Sequence, residues 1–142
     1  MADNLREFES YMRELPEKIK QAVRVSLERV GAVGVSQLSK LFQTEGRSLS
    51  VEWPPLNEKY LRHKIKQGFS EKKLHRTTTL AQSFHSRATD MEVKIGTPVP
   101  YSIYHEYGTK RMPARPFMKP VAQHLQERAV SDIFKKTLKE LL

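Results

Sequence analysis

Cysteine is absent from the 142-residue chain, and so are the long apolar runs typical of membrane-spanning helices. Without cysteine, the chain forms no disulfide, no thiol nucleophile and no Cys-based zinc site. No stretch approaches the roughly 20 apolar residues that cross a bilayer. The first residues soon carry charges of both signs, unlike a secretory signal peptide. We therefore expect a soluble chain that is made and kept in a cytoplasm and has no membrane partner.

Motifs of catalysis and of metal or cofactor binding are also missing. The chain has no GxSxG nucleophile elbow and no glycine-rich phosphate loop. His105 and Glu106 open like a zinc-protease motif, but Thr109 stands where the second histidine belongs. The other histidines show no metal-ligand spacing. These absences predict a protein that is not an enzyme and has no catalytic residue, no metal and no cofactor.

Positive charge, in contrast, is in excess and unevenly distributed. The chain has 25 Lys and Arg against 16 Asp and Glu, which gives a net charge of +9. We call residues 59–76 the basic segment, because they include one acid and seven bases. The bases are Lys59, Arg62, Lys64, Lys66, Lys72, Lys73 and Arg76. Such a stripe suits nucleic acid phosphates or an acidic protein face, and a solvated surface is an equally weighted alternative. A basic nucleic-acid-binding domain is therefore the second hypothesis for function.

Hydrophobic periodicity predicts a long helix at each end of the chain. Apolar residues at steps of three or four predict helix over about residues 4–43. Pro16 predicts a kink, or a break into two helices after Leu15, because its ring clashes with the preceding turn. A second amphipathic pattern predicts a helix from Met118 to Leu142. Gly31 and Gly34 either let another backbone come close or merely weaken the first helix.

The middle of the chain predicts a β-hairpin and a loop. Period-two alternation predicts an antiparallel hairpin around residues 84–96, after a short helix at 77–82. Residues 45–78 are predicted to form a flexible basic loop or arm, with a short helix at 57–67. The whole chain, residues 1–142, is therefore predicted to be one domain of the α+β class.

Aromatic residues mark two further features. Trp53, the only tryptophan, is expected to anchor the loop onto the core. Tyr101, Tyr104 and Tyr107 lie three apart, which favours a packing face of a short helical turn. The alternative is that their rings stack on the bases of a single-stranded nucleic acid.

Three motifs resemble the phage virion morphogenesis family, which includes the Mu-type tail-completion protein and related siphophage tail components. The first is Trp53-Pro54-Pro55-Leu56, and the second runs from Leu74 to Phe84. In the second, Thr78 replaces the usual glycine. The third and most specific runs from Ile95-Gly96 through Tyr104-His105-Glu106-Tyr107-Gly108 to Pro113-Ala114-Arg115-Pro116-Phe117. The resemblance extends from Val51 to Pro120, about half of the chain.

The resemblance implies a non-catalytic structural subunit of the tail-completion or neck type. Its expected partners are copies of itself, in a hexameric or dodecameric ring, and neighbouring head–tail connector or tail-tube proteins, with possible non-specific DNA contact. Its expected location is the virion, after assembly in the host cytoplasm. The motif residues that the resemblance marks as a candidate interface are Trp53, Pro55, Tyr104, His105, Gly108, Pro113, Arg115, Pro116 and Phe117.

The chemistry of the third motif allows a physical interpretation beside the resemblance. Pro113 and Pro116 restrict the backbone around Arg115, so its guanidinium is held at a low entropic cost. Because arginine makes planar two-pronged bonds, Arg115 suits either a clamp within the subunit or a contact across a subunit boundary. His105 is expected to bond the following loop, with a free surface histidine as the alternative. Phe117 is expected to enter the core.

Overall fold

The computed structural model describes residues 2–55, 62, 66, 67 and 79–142 of the chain. The regular elements are α1 Ala2–Gln43, α2 Thr79–Gln82, β1 His85–Ala88, β2 Val93–Gly96, α3 Ser102–Tyr107, α4 Met118–His124 and α5 Val130–Leu141. A 3-10 turn follows α1, and the segment between α4 and α5 is π-helical. The predicted α+β class, the hairpin and both long terminal helices are confirmed. No helix within the described residues is long and apolar enough to span a membrane.

α1 is one helix, and Pro16 lies inside it. The predicted break after Leu15 does not occur, and the single helix is the alternative that the structure contains. A proline removes one intrahelical hydrogen bond, whereas the long helix keeps its bonds on both sides of that position. α1 ends where Glu45 and Gly46 adopt positive φ angles of 55° and 94°. The Gly46 N–H donates to the Leu41 carbonyl at 2.8 Å and closes the helix.

The two strands form an antiparallel hairpin in which His85 pairs with Gly96 and Ala88 with Val93. The hairpin lies across α1 where two glycines leave room for it. A Cβ on Gly31 would lie 2.8 Å from the Cβ of Ser86, and one on Gly34 would lie 2.5 Å from the Cδ1 of Ile95. Another element does approach closely at these glycines, but its side chains fill the space, so the expected close approach of a backbone does not occur.

The C-terminal helical segments return along α1. Phe117, just before α4, packs on Phe42 near the end of α1, with 5.5 Å between ring centroids. Thr137, near the other end of the C-terminal segments, accepts a hydrogen bond of 2.9 Å from Arg29 in the middle of α1. Arg29 also pairs with Glu140 at 2.9 Å. α5 and α1 therefore run antiparallel, and α5 covers only the C-terminal half of α1.

Four aromatic rings from separate parts of the chain form the centre of the core. The Phe42 ring centroid lies 5.5 Å from that of Trp53 and 5.6 Å from that of Phe84. The Phe84 and Phe117 centroids lie 5.4 Å apart. All four side chains are buried. The predictions that Trp53 anchors the loop and that Phe117 enters the core are confirmed.

Several sequence predictions fall on residues that the structure does not describe. The short helix predicted at 77–82 is observed over Thr79–Gln82, and its first two residues lie outside the described residues. The predicted loop or arm at 45–78 and the helix at 57–67 lie largely outside them too. Within the basic segment, Arg62 and Lys66 are helical and exposed. The flexibility of this segment remains a prediction.

The contact between Gly31 and Ser86 yields a test of the fold. Replacing Gly31 by Ala would stabilise an unconstrained helix by about 1 kcal/mol. Here we expect a loss of about 1–3 kcal/mol in the free energy of unfolding, because the new Cβ forces the hairpin away from α1. Urea denaturation measures the change. Ser86→Gly in the Gly31→Ala background should restore part of the loss, and a plain gain in stability on Gly31→Ala would contradict the packing.

Candidate functional site

The first and third sequence motifs meet in the folded chain, although about 60 residues separate them. The Trp53 indole N–H donates to the Pro116 carbonyl at 2.8 Å. In return, Arg115 donates from Nε to the Pro54 carbonyl at 3.0 Å and from Nη2 to the Pro55 carbonyl at 3.1 Å. Three hydrogen bonds therefore join two irregular segments. We call these two segments, residues 51–55 and 108–117, together with α3, the corner.

The composition of the two segments explains why they bond in this way. Residues 51–55 have no regular structure, so their carbonyl groups lack helix or sheet partners. The planar guanidinium of Arg115 spans two successive carbonyls, and the side chain is only 5% exposed. Of the two roles expected for Arg115, the structure contains the clamp within the subunit. The main-chain N–H of Arg115 donates to the His105 carbonyl at 2.7 Å and ties α3 to the same loop.

Glu106 caps the start of α4. Its Oε2 accepts from the N–H groups of Phe117 at 2.7 Å and Met118 at 3.1 Å, and its Oε1 accepts from that of Lys119 at 3.0 Å. The next residue, Pro120, has no N–H. The N–H groups that a helix start normally leaves without partners are therefore all accounted for. A carboxylate at this end of the helix also suits the helix dipole.

A glycine turn connects α3 to the loop that carries Arg115. Gly108 has a φ of 77°, and a Cβ there would lie 2.8 Å from the Ala114 nitrogen. The Thr109 N–H then donates to the Met112 carbonyl at 2.8 Å, which closes a tight turn. Lys110 and Arg111 occupy the exposed tip of that turn. Only glycine fits position 108 without strain.

His105 bonds the loop through its main chain rather than its ring. The ring lies edge-on to Tyr101, with 5.8 Å between centroids. Nδ1 is buried and has no hydrogen-bond partner within the described residues. Burial lowers the pKa of His105 below its ordinary value of 6.5, and the positive charge of Arg115 lowers it further. Both effects favour the neutral form of the ring.

The tyrosines of the corner face outward. Tyr101, Tyr104 and Tyr107 are 40%, 57% and 79% exposed, and Ile103 is 62% exposed. The predicted packing face is therefore wrong for this subunit on its own. α3 is a short helix, and the small Ser102 is its buried residue. A spacing of three predicts a shared face, but periodicity alone does not say whether that face is inward or outward.

A groove of about 720 Å³ lies beside the corner, between α3 and α4. Apolar side chains line much of it, among them Ile103, Tyr107, Met118 and Ala122. Glu106 also lines it, but the Glu106 carboxylate binds the start of α4. Arg115 and His105 are not among its lining residues. Among the described residues, the Arg115 and His105 side chains therefore do not share this groove with Glu106.

The sequence motifs thus predicted the place of the corner but not its bonds. Trp53, Pro55, His105, Gly108, Arg115, Pro116 and Phe117 all come together there, with Tyr104 and Pro113 at its surface. The cap by Glu106 was missed. Its signal was the lack of a Ser, Thr, Asp or Asn immediately before α4, since a helix without a local cap needs a partner from elsewhere. In the described residues, no group of three or more His, Asp or Glu could hold a metal ion.

Comparison with known proteins extends the resemblance beyond the motifs. A sequence model of the phage virion morphogenesis family matches residues 3–139, including α1 and most of α5. The chain belongs to this family. It is also similar to an uncharacterized protein of Methanocaldococcus jannaschii, with 23% identity over 141 residues, which cover 95% of this chain and 98% of the relative. No solved structure matches the chain. As a member of the virion morphogenesis family, the protein acts in building the phage particle.

The cap on α4 of this virion morphogenesis protein is directly testable. Replacing Glu106 by Gln removes the negative charge that accepts three N–H bonds. We expect the free energy of unfolding to fall by about 1.5–3 kcal/mol, the range for hydrogen bonds to a charged group. Urea denaturation measures the change. The matched control is Glu127→Gln, which changes an exposed carboxylate in the π-helical segment after α4. It should change stability little.

Arg115 provides a second test in this family member. Arg115→Lys keeps the positive charge but cannot bridge the Pro54 and Pro55 carbonyls with a planar fork. We expect a loss of about 1–3 kcal/mol of stability. Arg111→Lys, an exposed change in the same loop, should be close to neutral. Equal and small effects of the two substitutions would show that the clamp contributes nothing.

The lowered pKa of His105 predicts how stability depends on pH. The unfolded chain takes up a proton on His105 near pH 6.5, whereas the folded chain takes it up only at lower pH. The contribution of neutral His105 to the free energy of unfolding is therefore fully present above the pKa of His105 in the unfolded chain. This contribution is lost as the pH falls below that pKa. Denaturation midpoints between about pH 7.5 and 5.5 should fall less in His105→Asn than in the natural chain. His85→Asn, at an exposed position, should retain the natural slope.

Proposed function

We propose that the chain is a non-catalytic subunit of a ring at the head–tail junction of a phage, of the tail-completion or neck type. Family membership supports a role in virion assembly. The finer proposal rests on the hydrogen-bond partners of the two charged side chains at the corner. Arg115 and Glu106, the side chains that a reaction there would need, both bind main-chain atoms of their own subunit. They hold a surface in place instead of facing a substrate.

The surface that they hold has the composition of a protein interface. Ile103, Tyr104 and Tyr107 stand exposed on α3, next to an apolar groove. Tyrosine is enriched in protein interfaces, and exposed apolar patches on soluble proteins mark contact sites. A rigid scaffold presents this patch without the entropic cost of ordering it on binding. We therefore propose that the corner docks onto other copies of the chain, as a hexamer or dodecamer, or onto neighbouring connector or tail-tube proteins.

Electron microscopy of phage grown without this protein tests the proposal. The expected result is DNA-filled heads lying apart from finished tails, because a neck subunit is needed only when the two are joined. Plasmid-borne natural protein should restore joined particles located in the virion fraction. Normal infectious particles without the protein, or empty heads, would contradict the proposal.

A surface substitution separates docking from folding. Tyr107→Ser changes an exposed side chain of the corner, so the protein should fold normally but fail to restore joined particles. Met91→Ser is the matched control, because Met91 is 90% exposed in the hairpin turn, away from the corner. It should restore particles as the natural protein does. Equal restoration by both variants would remove the corner from the assembly contact.

Nucleic acid binding is the alternative function, and it rests on charge. Most of the basic segment lies outside the described residues, so the net charge of +9 is what favours this alternative. Fluorescence anisotropy with DNA of random sequence, measured over a series of salt concentrations, distinguishes the two. Tight binding by the isolated monomer with a steep salt dependence would favour the alternative. Weak binding is expected for a subunit that acts through protein contacts.

A further inference from the structure

The N-terminal end of α1 extends beyond the core and carries an exposed apolar stripe. We call residues Asp3–Ile19 the projection. No residue from Asp3 to Gln21 is buried, and Ala22 is the first residue of α1 with a fully buried side chain. Yet the projection is not polar all round. Its stripe consists of the half-buried Leu15 and four exposed residues, Leu5 at 60%, Phe8 at 59%, Met12 at 47% and Ile19 at 42%.

The spacing of this stripe is that of a helix-packing seam. Its residues follow one another at alternating steps of three and four, which places them on one face of the helix. The same series continues to Ala22 and Ser26, which are completely buried. The exposed stripe is therefore the continuation of a face that is covered in the second half of α1. A polar projection would be expected if this face stayed in water.

The projection differs in charge from the rest of the protein. Residues 3–19 contain five acids and three bases, a net charge of −2. Since the whole chain carries +9, the remaining residues carry +11. A negatively charged segment on a positively charged protein is attracted to other parts of the same molecule or of another copy.

The groove beside the corner matches the projection in both respects. Its lining includes apolar side chains from α3 and α4, namely Ile103, Tyr107, Met118 and Ala122. Lys119 lines the groove, and Lys110 and Arg111 stand exposed on the loop that follows Tyr107. The Glu106 carboxylate, the acid among the lining residues, binds three N–H groups of α4. An apolar face with acidic flanks fits such a site.

The projection does not reach the groove of its own subunit. Phe42, near the end of α1, packs against Phe117, which lines the groove. Met12, in the projection, lies 30 residues earlier in the same uninterrupted helix, which corresponds to about 45 Å at 1.5 Å per residue. The two complementary surfaces thus occupy opposite ends of the molecule. Contact between them requires a second copy, arranged head to tail, and repeated head-to-tail contacts form a ring where the rotation between copies closes.

We propose that the projection of one copy occupies the groove between α3 and α4 of the next copy, with its apolar stripe on Ile103, Tyr107, Met118 and Ala122. The projection's acids then face the basic rim formed by Lys110, Arg111 and Lys119. This inference rests on the proposed ring and supplies the contact that builds it. The same contact covers the outward-facing apolar side chains at both ends of the molecule.

Pairing of two projections with each other is the rival arrangement, and two observations disfavour it. The exposed stripe spans only about two heptads, whereas coiled coils need at least three or four. Two projections would also bring together two segments of the same net charge. The groove offers an apolar surface with charges of opposite sign.

Chemical cross-linking tests the contact, and the absence of natural cysteine removes the background. The test variant carries Phe8→Cys in the stripe and Ala122→Cys in the groove. Both positions are exposed, so folding should not change, and Leu5→Cys or Met12→Cys replaces Phe8→Cys if the register differs. A short bis-maleimide is added to concentrated purified protein and to particles assembled with the variant. We expect a ladder of covalent multimers on a denaturing gel, because each copy is linked to two neighbours.

Two controls make the result decisive. The first control, Ser10→Cys with Ala122→Cys, places the first thiol on the opposite face of the projection. Because that face points away from the groove, we expect roughly tenfold less multimer. Phe8→Cys alone should give no product. Dimers from Phe8→Cys alone would overturn the proposal in favour of paired projections. No cross-link from any stripe position, in either sample, would overturn it as well.

The outcome is separable from that of the proposed function. If phage without the protein show unjoined heads and tails but no stripe variant cross-links, the neck function holds and the projection–groove contact is refuted. If the ladder forms but the protein proves dispensable for joining heads and tails, the contact holds and the assigned place in the virion is refuted.

Discussion

The Trp53 indole and the rings around it are the constraint on which the rest of the molecule depends. The indole fills the aromatic centre with Phe42, Phe84 and Phe117, and at the same time its N–H bonds the Pro116 carbonyl. A tryptophan buried in this way both contributes apolar area and satisfies a polar group of an irregular loop. The loop is then in position for Arg115 to bond the two residues after Trp53. The indole thereby joins the two irregular segments to each other and to the core.

This arrangement turns charged residues inward and leaves apolar residues outside. Arg115 and Glu106 serve the main chain, while tyrosines and Ile103 remain exposed on α3. The corner therefore suits the docking role proposed for it. The exposed stripe at the far end of α1 is the other half of the proposed contact between copies.

The sequence predicted the regular elements well because their signals are local. Helix periodicity and strand alternation identified α1, the hairpin and the C-terminal helix, and Gly31 and Gly34 marked a place of close approach without identifying the hairpin. What depends on contacts between distant residues was not predictable: the cap by Glu106, the bonds from Arg115 to the Pro54 and Pro55 carbonyls, and the outward face of the tyrosines. Pro16 was overestimated, because one lost hydrogen bond is a small part of a 42-residue helix.

Amide and indole hydrogen exchange measured by NMR tests most directly whether the corner is a single rigid unit. If Trp53 holds the loop as described, its indole N–H should exchange only when the protein unfolds globally, as should the Phe117 N–H that Glu106 accepts. Their opening free energies should then equal the free energy of unfolding from denaturation. An indole that exchanges at much lower opening free energy, while the amides of α1 around Leu38 stay protected, would show that the loop detaches independently and would contradict the account.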